Sequence, residues 1–156
     1  MHLHVLRATS LILATAATVT APAVLAQADG AGSAGPFVRA AAAANRIVIQ
    51  VSDADPTKWN LALNNARNLQ TDLGASNVDI EIVAYGPGIG MLKMDSPVAS
   101  RIDDARGTGV KVIACENTMR GQKLAKSDML NGIGYVQAGV VEIMQKQQQG
   151  WSYLRP

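Results

Sequence analysis

The stretch Val110-Lys-Val-Ile-Ala-Cys115-Glu-Asn-Thr118 decides the predicted fold. It is a run of β-branched and apolar residues that follows Gly109 and ends in polar residues of the kind that begin a helix. Such a run is typical of a strand buried in a parallel sheet. The carboxyl ends of parallel strands form the edge at which open α/β sheets bind ligands. We therefore expect Cys115 to lie at that edge.

Two further strands are predicted before this stretch, over Arg46-Ile-Val-Ile-Gln-Val51 and over residues 78–85. Between them, Asp55 and Pro56 are typical of the N-cap and first residue of a helix, and Gly74 of its end. Apolar side chains recur at helical spacing within it, and these are predicted to face the core: Trp59, Ala62, Leu63, Ala66, Leu69 and Leu73.

Strand and helix patterns continue to alternate toward the C-terminus. The predicted elements are a helix capped by Ser96-Pro97 and ending at Gly107, a helix over 118–125, a short strand at 135–136, a helix over 140–149 with Val140, Ile143 and Met144 inward, and a last strand over 151–154. Such alternation is typical of an α/β fold, in which helices cover both faces of a mainly parallel sheet.

The first residues have the pattern of a cleaved signal peptide. Arg7 supplies a basic start, residues 11–19 are small and apolar, and Val24-Leu-Ala26 suits a signal peptidase. An uncleaved membrane anchor is the alternative, but the apolar run is short and rich in alanine and threonine. We expect a signal peptide over 1–26, a low-complexity linker over 27–45 and a folded domain over 46–156. The mature protein would then be periplasmic or secreted, with no membrane attachment.

Removal of residues 1–26 would take both histidines of the chain, His2 and His4, with it. No imidazole would remain for Ser-His-Asp or Cys-His catalysis or for a histidine-ligated zinc site. We therefore expect no metal and no cofactor. The chain has 14 basic and 12 acidic residues and only 4% aromatic residues. This near-balance of charge and the scarcity of stacking platforms argue against nucleic acid as a partner.

Cys115 is the only cysteine, so it cannot form a disulfide within the chain. One interpretation is a packed core thiol, because free cysteine is among the most buried residue types. The other is a reactive thiol, because Glu116, Asn117 and Thr118 indicate a helix N-terminus, where partial positive charge favours thiolate. Arg120 would add to that effect, whereas Glu116 would oppose it. A third interpretation pairs Cys115 as a Cu(I) ligand with methionines near the same edge: Met91, Met94, Met119 and Met129.

A glycine-rich loop follows the second strand at the same sheet edge. It contains Gly86, Gly88 and Gly90 after Tyr85, but its spacing differs from that of dinucleotide-binding loops and Pro87 lacks a backbone donor. The loop is either a turn or a nest of N–H groups for an anion. Ser52 and Asp53 end the first strand and would lie beside it.

Several segments together resemble the DsrE/DsrF-like family, and more closely its members with signal peptides. They are the Asp55-Pro56 helix start, Gly86-Pro-Gly88, Gly109-Val-Lys-Val-Ile-Ala-Cys-Glu-Asn-Thr-Met-Arg120, Gly132-Ile-Gly-Tyr-Val-Gln-Ala-Gly-Val-Val-Glu142 and Gly150-Trp-Ser-Tyr-Leu-Arg-Pro156. The resemblance covers residues 46–156. It implies a three-layer α/β/α sandwich with about five strands that assembles into trimers or hexamers.

In the sulfur-relay members of this family, a cysteine after the third strand carries sulfur as a persulfide, and Cys115 matches that position. The resemblance therefore implies a sulfur carrier or sulfurtransferase with a partner protein as sulfur donor or acceptor, and the signal-peptide pattern adds that it is exported. In this hypothesis Asn117, nearby backbone amides and Arg120 would stabilise the anionic sulfur. The alternative function is a non-enzymatic, oligomeric module that binds a small ligand at residues 52–55, 85–91 and 115–118.

Overall fold

The computed structural model of the protein describes residues 45–156. The predicted signal peptide and nearly all of the predicted linker lie outside the described residues. The helices and strands are β1 (Asn45–Val51), α1 (Pro56–Leu73), β2 (Val78–Ala84), α2 (Ala99–Gly107), β3 (Lys111–Cys115), α3 (Glu116–Gly121), β4 (Gly134–Val136), α4 (Gly139–Gln148) and β5 (Ser152–Leu154). None of the helices in this part of the chain is long and apolar enough to cross a membrane.

The strands form one parallel sheet in the order β4-β3-β2-β1-β5. Its centre is almost purely apolar, with Ile49 opposite Ile82 and Ala84 opposite Ala114. Such continuous apolar strands are expected where helices cover a parallel sheet on both faces. The predicted α/β class and the five-stranded parallel sheet are confirmed.

The start of α1 follows from its capping residues as predicted. Asp55 Oδ1 accepts a hydrogen bond from the Thr57 N–H at 2.8 Å, and Pro56 is the first helical residue. Gly74, at φ 87°, follows the last residue of the helix. The predicted inward face is confirmed for the buried Trp59, Ala62, Leu63 and Ala66, while Leu69 is half-buried. It is wrong for Leu73, whose position in the last turn leaves it exposed.

Three helix predictions required correction. The helix after β3 begins at Glu116, two residues earlier than predicted, because Cys115 itself is its N-cap, and it ends at Gly121 before the positive φ of Lys123. Helix α2 begins at Ala99 rather than directly after Ser96-Pro97. Of the three α4 residues predicted to face inward, only Ile143 is buried, and Val140 and Met144 are exposed. The apolar residues of α4 cover a wider arc of the helix than the face that contacts the sheet.

The two faces of the sheet carry cores of different size. The larger core includes α1 and α2, with side chains such as Ile49, Ile82 and Val112. The smaller core lies under α4 and consists of Val48, Val83, Ile143 and Trp151, with Tyr85 and Ile113 against it. We call this second side the α4 face. Because side chains alternate along a strand, Cys115 shares the α4 face with Ile113.

Candidate functional site

Cys115 is the last residue of β3 and lies at the carboxyl edge of the sheet, as the sequence predicts. The residue is only 5% exposed. Its Sγ lies 3.9 Å from the carbonyl oxygen of Gln137, in the segment before α4. Burial alone therefore does not distinguish a core thiol from a reactive one, and the groups around the sulfur decide between them.

Hydrogen-bond donors from two helices converge on the Cys115 sulfur. They are the hydroxyl and N–H of Thr118 and the N–H of Asn117 in α3, together with the N–H of Gly139, the first residue of α4. The free N–H groups of a helix N-terminus carry partial positive charge, which stabilises an anion. Helix α4 is ten residues long, and the N–H that reaches the thiol is that of its first residue, Gly139.

These donors determine the ionisation of the thiol. Burial raises the pKa of Cys115, but the hydrogen bond from the Thr118 hydroxyl and those from the backbone N–H groups of Gly139, Thr118 and Asn117 lower it by more. The net pKa is below the ordinary value for a cysteine. A larger fraction of thiolate is therefore present at neutral pH than in a free cysteine, and thiolate is the nucleophilic form.

Thr118 is held in place by the glycine loop. The Gly86 N–H donates to Thr118 Oγ1 at 2.9 Å, which leaves the hydroxyl proton free for the Cys115 sulfur. Gly86 has φ 54°, a conformation that favours glycine. Gln122 Nε2 donates to the Gly86 carbonyl at 3.2 Å and fastens the loop to the segment after α3. The sequence analysis predicted Gly86 and Thr118 as site residues but missed Gln122.

The other loop glycines shape the sheet edge. Residues Gly86–Leu92 form a 3₁₀ helix in which Gly88 is buried. The Gly88 N–H donates to the carbonyl oxygens of Ser52 and Tyr85, each at 3.1 Å. Gly90 lies against the ring of Trp59. Because the N–H groups of Gly86 and Gly88 already have partners within the protein, these contacts favour the turn interpretation over an anion nest.

Tyr85 forms one wall of the site on the α4 face. A Cβ added to Gly139 would lie 3.2 Å from both Cβ and Cδ1 of Tyr85, a tighter contact than Cβ atoms normally make, so the glycine lets the start of α4 pack closely against the tyrosine. Burial raises the pKa of Tyr85. The neighbouring Tyr153 and the charges of Asp53 and Cys115 raise this pKa further, whereas the charge of Arg155 lowers it. The thiol of Cys115 is thus one of the groups close enough to Tyr85 to affect its ionisation.

Charged residues lie at the rim of the site. Arg155 Nη2 is 3.5 Å from Asp53 Oδ2, and both side chains are exposed to solvent. The sequence analysis predicted Asp53 but missed Arg155, which follows the last strand. The Ser52 hydroxyl accepts a hydrogen bond from Gln50 Nε2 at 3.1 Å and therefore supports the rim rather than the thiol.

The remaining predicted site residues are turned toward other partners. Arg120 donates to the side-chain oxygen of Asn117 within α3, and both residues are exposed. Glu116 forms an ion pair with Lys126 at 3.1 Å. Asn117 therefore reaches the thiol region through its backbone N–H, which also donates to the Gln137 carbonyl at 3.0 Å.

The methionines are placed mainly in the core. Met91, Met119 and Met129 are buried in the larger core, and Met94 is exposed. Among residues 45–156, no group of three or more His, Cys, Asp or Glu side chains is arranged to hold a metal ion. Nothing in this packing distinguishes the three buried methionines from ordinary core residues.

A groove of about 370 Å³ lies elsewhere, between α1 and α2. Its lining includes Arg67, Gln70, Arg101 and Thr108, and it contains none of the predicted site residues. Three of these side chains are already engaged. Arg101 donates to Asn64, Gln70 donates to the Thr108 carbonyl, and the Thr108 hydroxyl donates to Gln70. The convergence of donors on Cys115, rather than the size of this groove, identifies the candidate site.

A family model described as DsrE/DsrF-like matches residues 37–156. The chain belongs to the DsrE/DsrF-like family. One similar solved structure is that of MTH1491, a protein of unknown function from Methanobacterium thermoautotrophicum, with 37% sequence identity and a TM-score of 0.69. The match covers 72% of this chain and 99% of that one. No curated protein matches the chain.

Two more distant solved structures share the fold. They are BT1422 from Bacteroides thetaiotaomicron, a conserved protein of unknown function (17% identity, TM-score 0.59, 72% of this chain and 95% of that one), and ychN from E. coli (18% identity, TM-score 0.59, 72% and 99%). At these identities the likeness shows the fold alone. The resemblance to the DsrE/DsrF-like family is thus confirmed, while membership of an exported branch stays a prediction.

Proposed function

We propose that this DsrE/DsrF-like protein is a sulfur carrier or sulfurtransferase in which Cys115 forms a persulfide. The observation that carries the proposal is the convergence of the Thr118 hydroxyl and the Gly139 N–H on one thiol, with a lowered thiol pKa as the result. A merely packed thiol needs no such set of donors. The same donors would stabilise the negative charge of a bound persulfide.

The reaction is a thiol–disulfide type of exchange. The Cys115 thiolate attacks the outer sulfur of a donor persulfide, a new S–S bond forms to Cys115, and the S–S bond of the donor breaks. The electron pair of that bond leaves with the donor, which departs as a thiolate. With thiosulfate as the donor, the leaving group is sulfite. Neither route needs an external oxidant or reductant, and an acceptor thiolate removes the sulfur by the same step.

Sulfur loading is the test of this proposal. Incubation of the folded protein with a persulfide donor or thiosulfate is expected to add the mass of one sulfur atom to the wild type. Because the acceptor is the Cys115 thiol, the Cys115→Ser variant is expected to show no addition. The measurement is intact mass before and after treatment with a thiol reductant, which should remove the added sulfur.

Equal labelling of the wild type and Cys115→Ser would contradict the proposal. So would the absence of labelling in a wild type whose thiol reacts readily with an alkylating agent. In that second case the alternative, a non-enzymatic module for a small ligand, gains support. It predicts that Cys115→Ala retains any thermal stabilisation that the ligand confers on the wild type.

We also propose that the protein forms a homo-oligomer, a trimer or hexamer, through the α4 face. Support comes from four exposed apolar side chains on α4 and β5: Val140, Val141, Met144 and Tyr153. Exposed apolar groups of this kind are typical of contact surfaces between subunits. Met144→Glu is expected to reduce the mass in solution to that of a monomer, whereas Leu61→Glu, at an exposed leucine of α1, should not. A monomeric wild type would contradict this proposal.

The proposed location is outside the cytoplasm. It rests on the signal-peptide pattern of residues 1–26 and on the low-complexity composition of residues 27–45. The N-terminal residue of the protein recovered from the producing cell is the measurement: Gln27 is expected, and retained residues 1–26 would contradict it.

A further inference from the structure

A buried ion pair joins the last turn of α4 to the middle of the sheet. Lys146 Nζ lies 2.7 Å from Glu81 Oε2, and the two side chains are 14% and 4% exposed. Lys146 also lies 3.4 Å from Glu142 Oε1 and 4.3 Å from the centre of the Trp151 ring. The sequence analysis assigned no role to Lys146, so this contact was missed.

The pair is poorly suited to a purely stabilising role. Glu81 Oε1 and Trp151 Nε1 are both buried and have no hydrogen-bond partner among the described residues. Burial raises the pKa of Glu81, and the ammonium group of Lys146 opposes this only in part. Buried ion pairs often stabilise a protein no better than apolar side chains of similar volume would. A positional role for the pair is therefore worth testing.

The pair contributes one of few contacts that hold α4 in place. Within the helix only Gly139 and Ile143 are buried. Gly139 packs against Tyr85 and Val83, and Ile143 packs in the smaller core. Lys146 adds a third contact one turn further, about 10 Å along the helix from Gly139. A rigid helix fixed at both ends keeps its first N–H in a defined position.

We propose that Glu81 and Lys146 are positioning residues for Cys115, which fix α4 so that the Gly139 N–H stays directed at the sulfur. This inference rests on the proposed role of the Cys115 thiol. Neither residue touches the sulfur. They act through the helix, since a hydrogen bond to an anion weakens steeply when the donor moves away or tilts. If the last turn of α4 became loose, the first turn would also move, and the Gly139 N–H would no longer be held at the sulfur.

The test uses the ionisation of Cys115 in the full, folded protein. The probe is iodoacetamide, and the readout is the alkylation rate at pH 7 divided by the plateau rate at high pH. This ratio reports the thiolate fraction independently of access to the thiol. Glu81→Met and Lys146→Met are each expected to lower the ratio about three- to tenfold. This is the size expected when a hydrogen bond to a charged group is weakened but not lost.

The direction of the Glu81 effect separates positioning from a simple electric field. Removal of a negative charge would, by field alone, favour the thiolate and raise the ratio. Positioning predicts the opposite sign. The double variant Glu81→Met/Lys146→Met replaces the pair by apolar side chains that pack, so its ratio is expected to return to within about twofold of the wild type.

A matched control is available on the neighbouring strand. Lys111 lies opposite Glu81 in the sheet and is exposed, so Lys111→Met removes the same charge without releasing α4. It should leave the ratio unchanged. If the methionine variants do not fold, Glu81→Gln keeps the native shape while weakening the bond to Lys146, and positioning again predicts a lower ratio.

A higher ratio in Glu81→Met or Glu81→Gln would overturn the inference, as would a double variant with a ratio as low as that of the single variants. Sulfur loading keeps this result separate from the proposed function. If the wild type loads sulfur but both single variants keep the wild-type ratio, the positioning inference is wrong and the proposed function stands. If the wild type does not load sulfur but the ratios follow the predicted pattern, the proposed sulfur role is wrong and the positioning inference stands.

Discussion

Replacement of Gly88 by alanine is expected to lower the free energy of unfolding by about 3 kcal/mol. The added Cβ would overlap the carbonyl group of Val51 and lie 2.9 Å from the Cα of Ser52. All of these atoms belong to the backbone, so no side-chain rotation relieves the overlap. The loop after β2 would have to move away from the end of β1, and the Gly88 hydrogen bonds to Ser52 and Tyr85 would be lost.

Denaturant unfolding measures this effect, with Gly107→Ala as the matched control. Gly107 is the last residue of α2, and an added Cβ there meets no atom within 4 Å. Alanine also has a higher helix propensity than glycine, so the control is expected to be as stable as the wild type or more stable by up to about 1 kcal/mol. Equal stability of the two variants would contradict the close packing of the loop against β1.

Replacement of Thr118 by valine is expected to reduce the thiolate fraction of Cys115 at pH 7 about tenfold, which matches the loss of a hydrogen bond to a charged group. Valine has nearly the shape of threonine but has no hydroxyl to donate to the sulfur or to accept from the Gly86 N–H. The pKa of the thiol should therefore rise. The measurement is the alkylation rate of Cys115 as a function of pH.

Thr118→Ser is the control for this variant, because it keeps the hydroxyl and removes only a methyl group. Its pH profile is expected to stay close to that of the wild type. Should Thr118→Val alkylate with the wild-type profile, the hydroxyl does not determine the ionisation of the thiol. The backbone N–H groups of α3 and α4 would then be its main cause.

The fold follows largely from local patterns in the sequence. β-Branched runs mark the central strands, and Asp55-Pro56 and Gly74 mark the ends of α1, because caps act within one turn of the chain. The same reasoning misplaced the start of α3, since Cys115 takes the N-cap position that polar residues were expected to fill. It also misjudged α4, where tertiary packing leaves Val140 exposed and covers most of the Lys146 side chain.

The candidate site was predictable only where its residues follow strand ends. Cys115, Thr118, Gly86 and Tyr85 were found in this way, because the carboxyl edge of a parallel sheet collects such residues. The contacts of Gly139 with the thiol and of Lys146 with Glu81 join residues that are far apart in the chain. No local pattern specifies such contacts, since they depend on where α4 crosses the sheet.

The alkylation rate of Cys115 in the folded wild type, measured from pH 5 to 9 by intact mass, tests the central claim most directly. The donors on the sulfur predict rapid labelling with an apparent pKa clearly below the ordinary thiol value of about 8.5. An apparent pKa at or above that value, or labelling only after denaturation, would contradict the account and identify Cys115 as a packed core thiol.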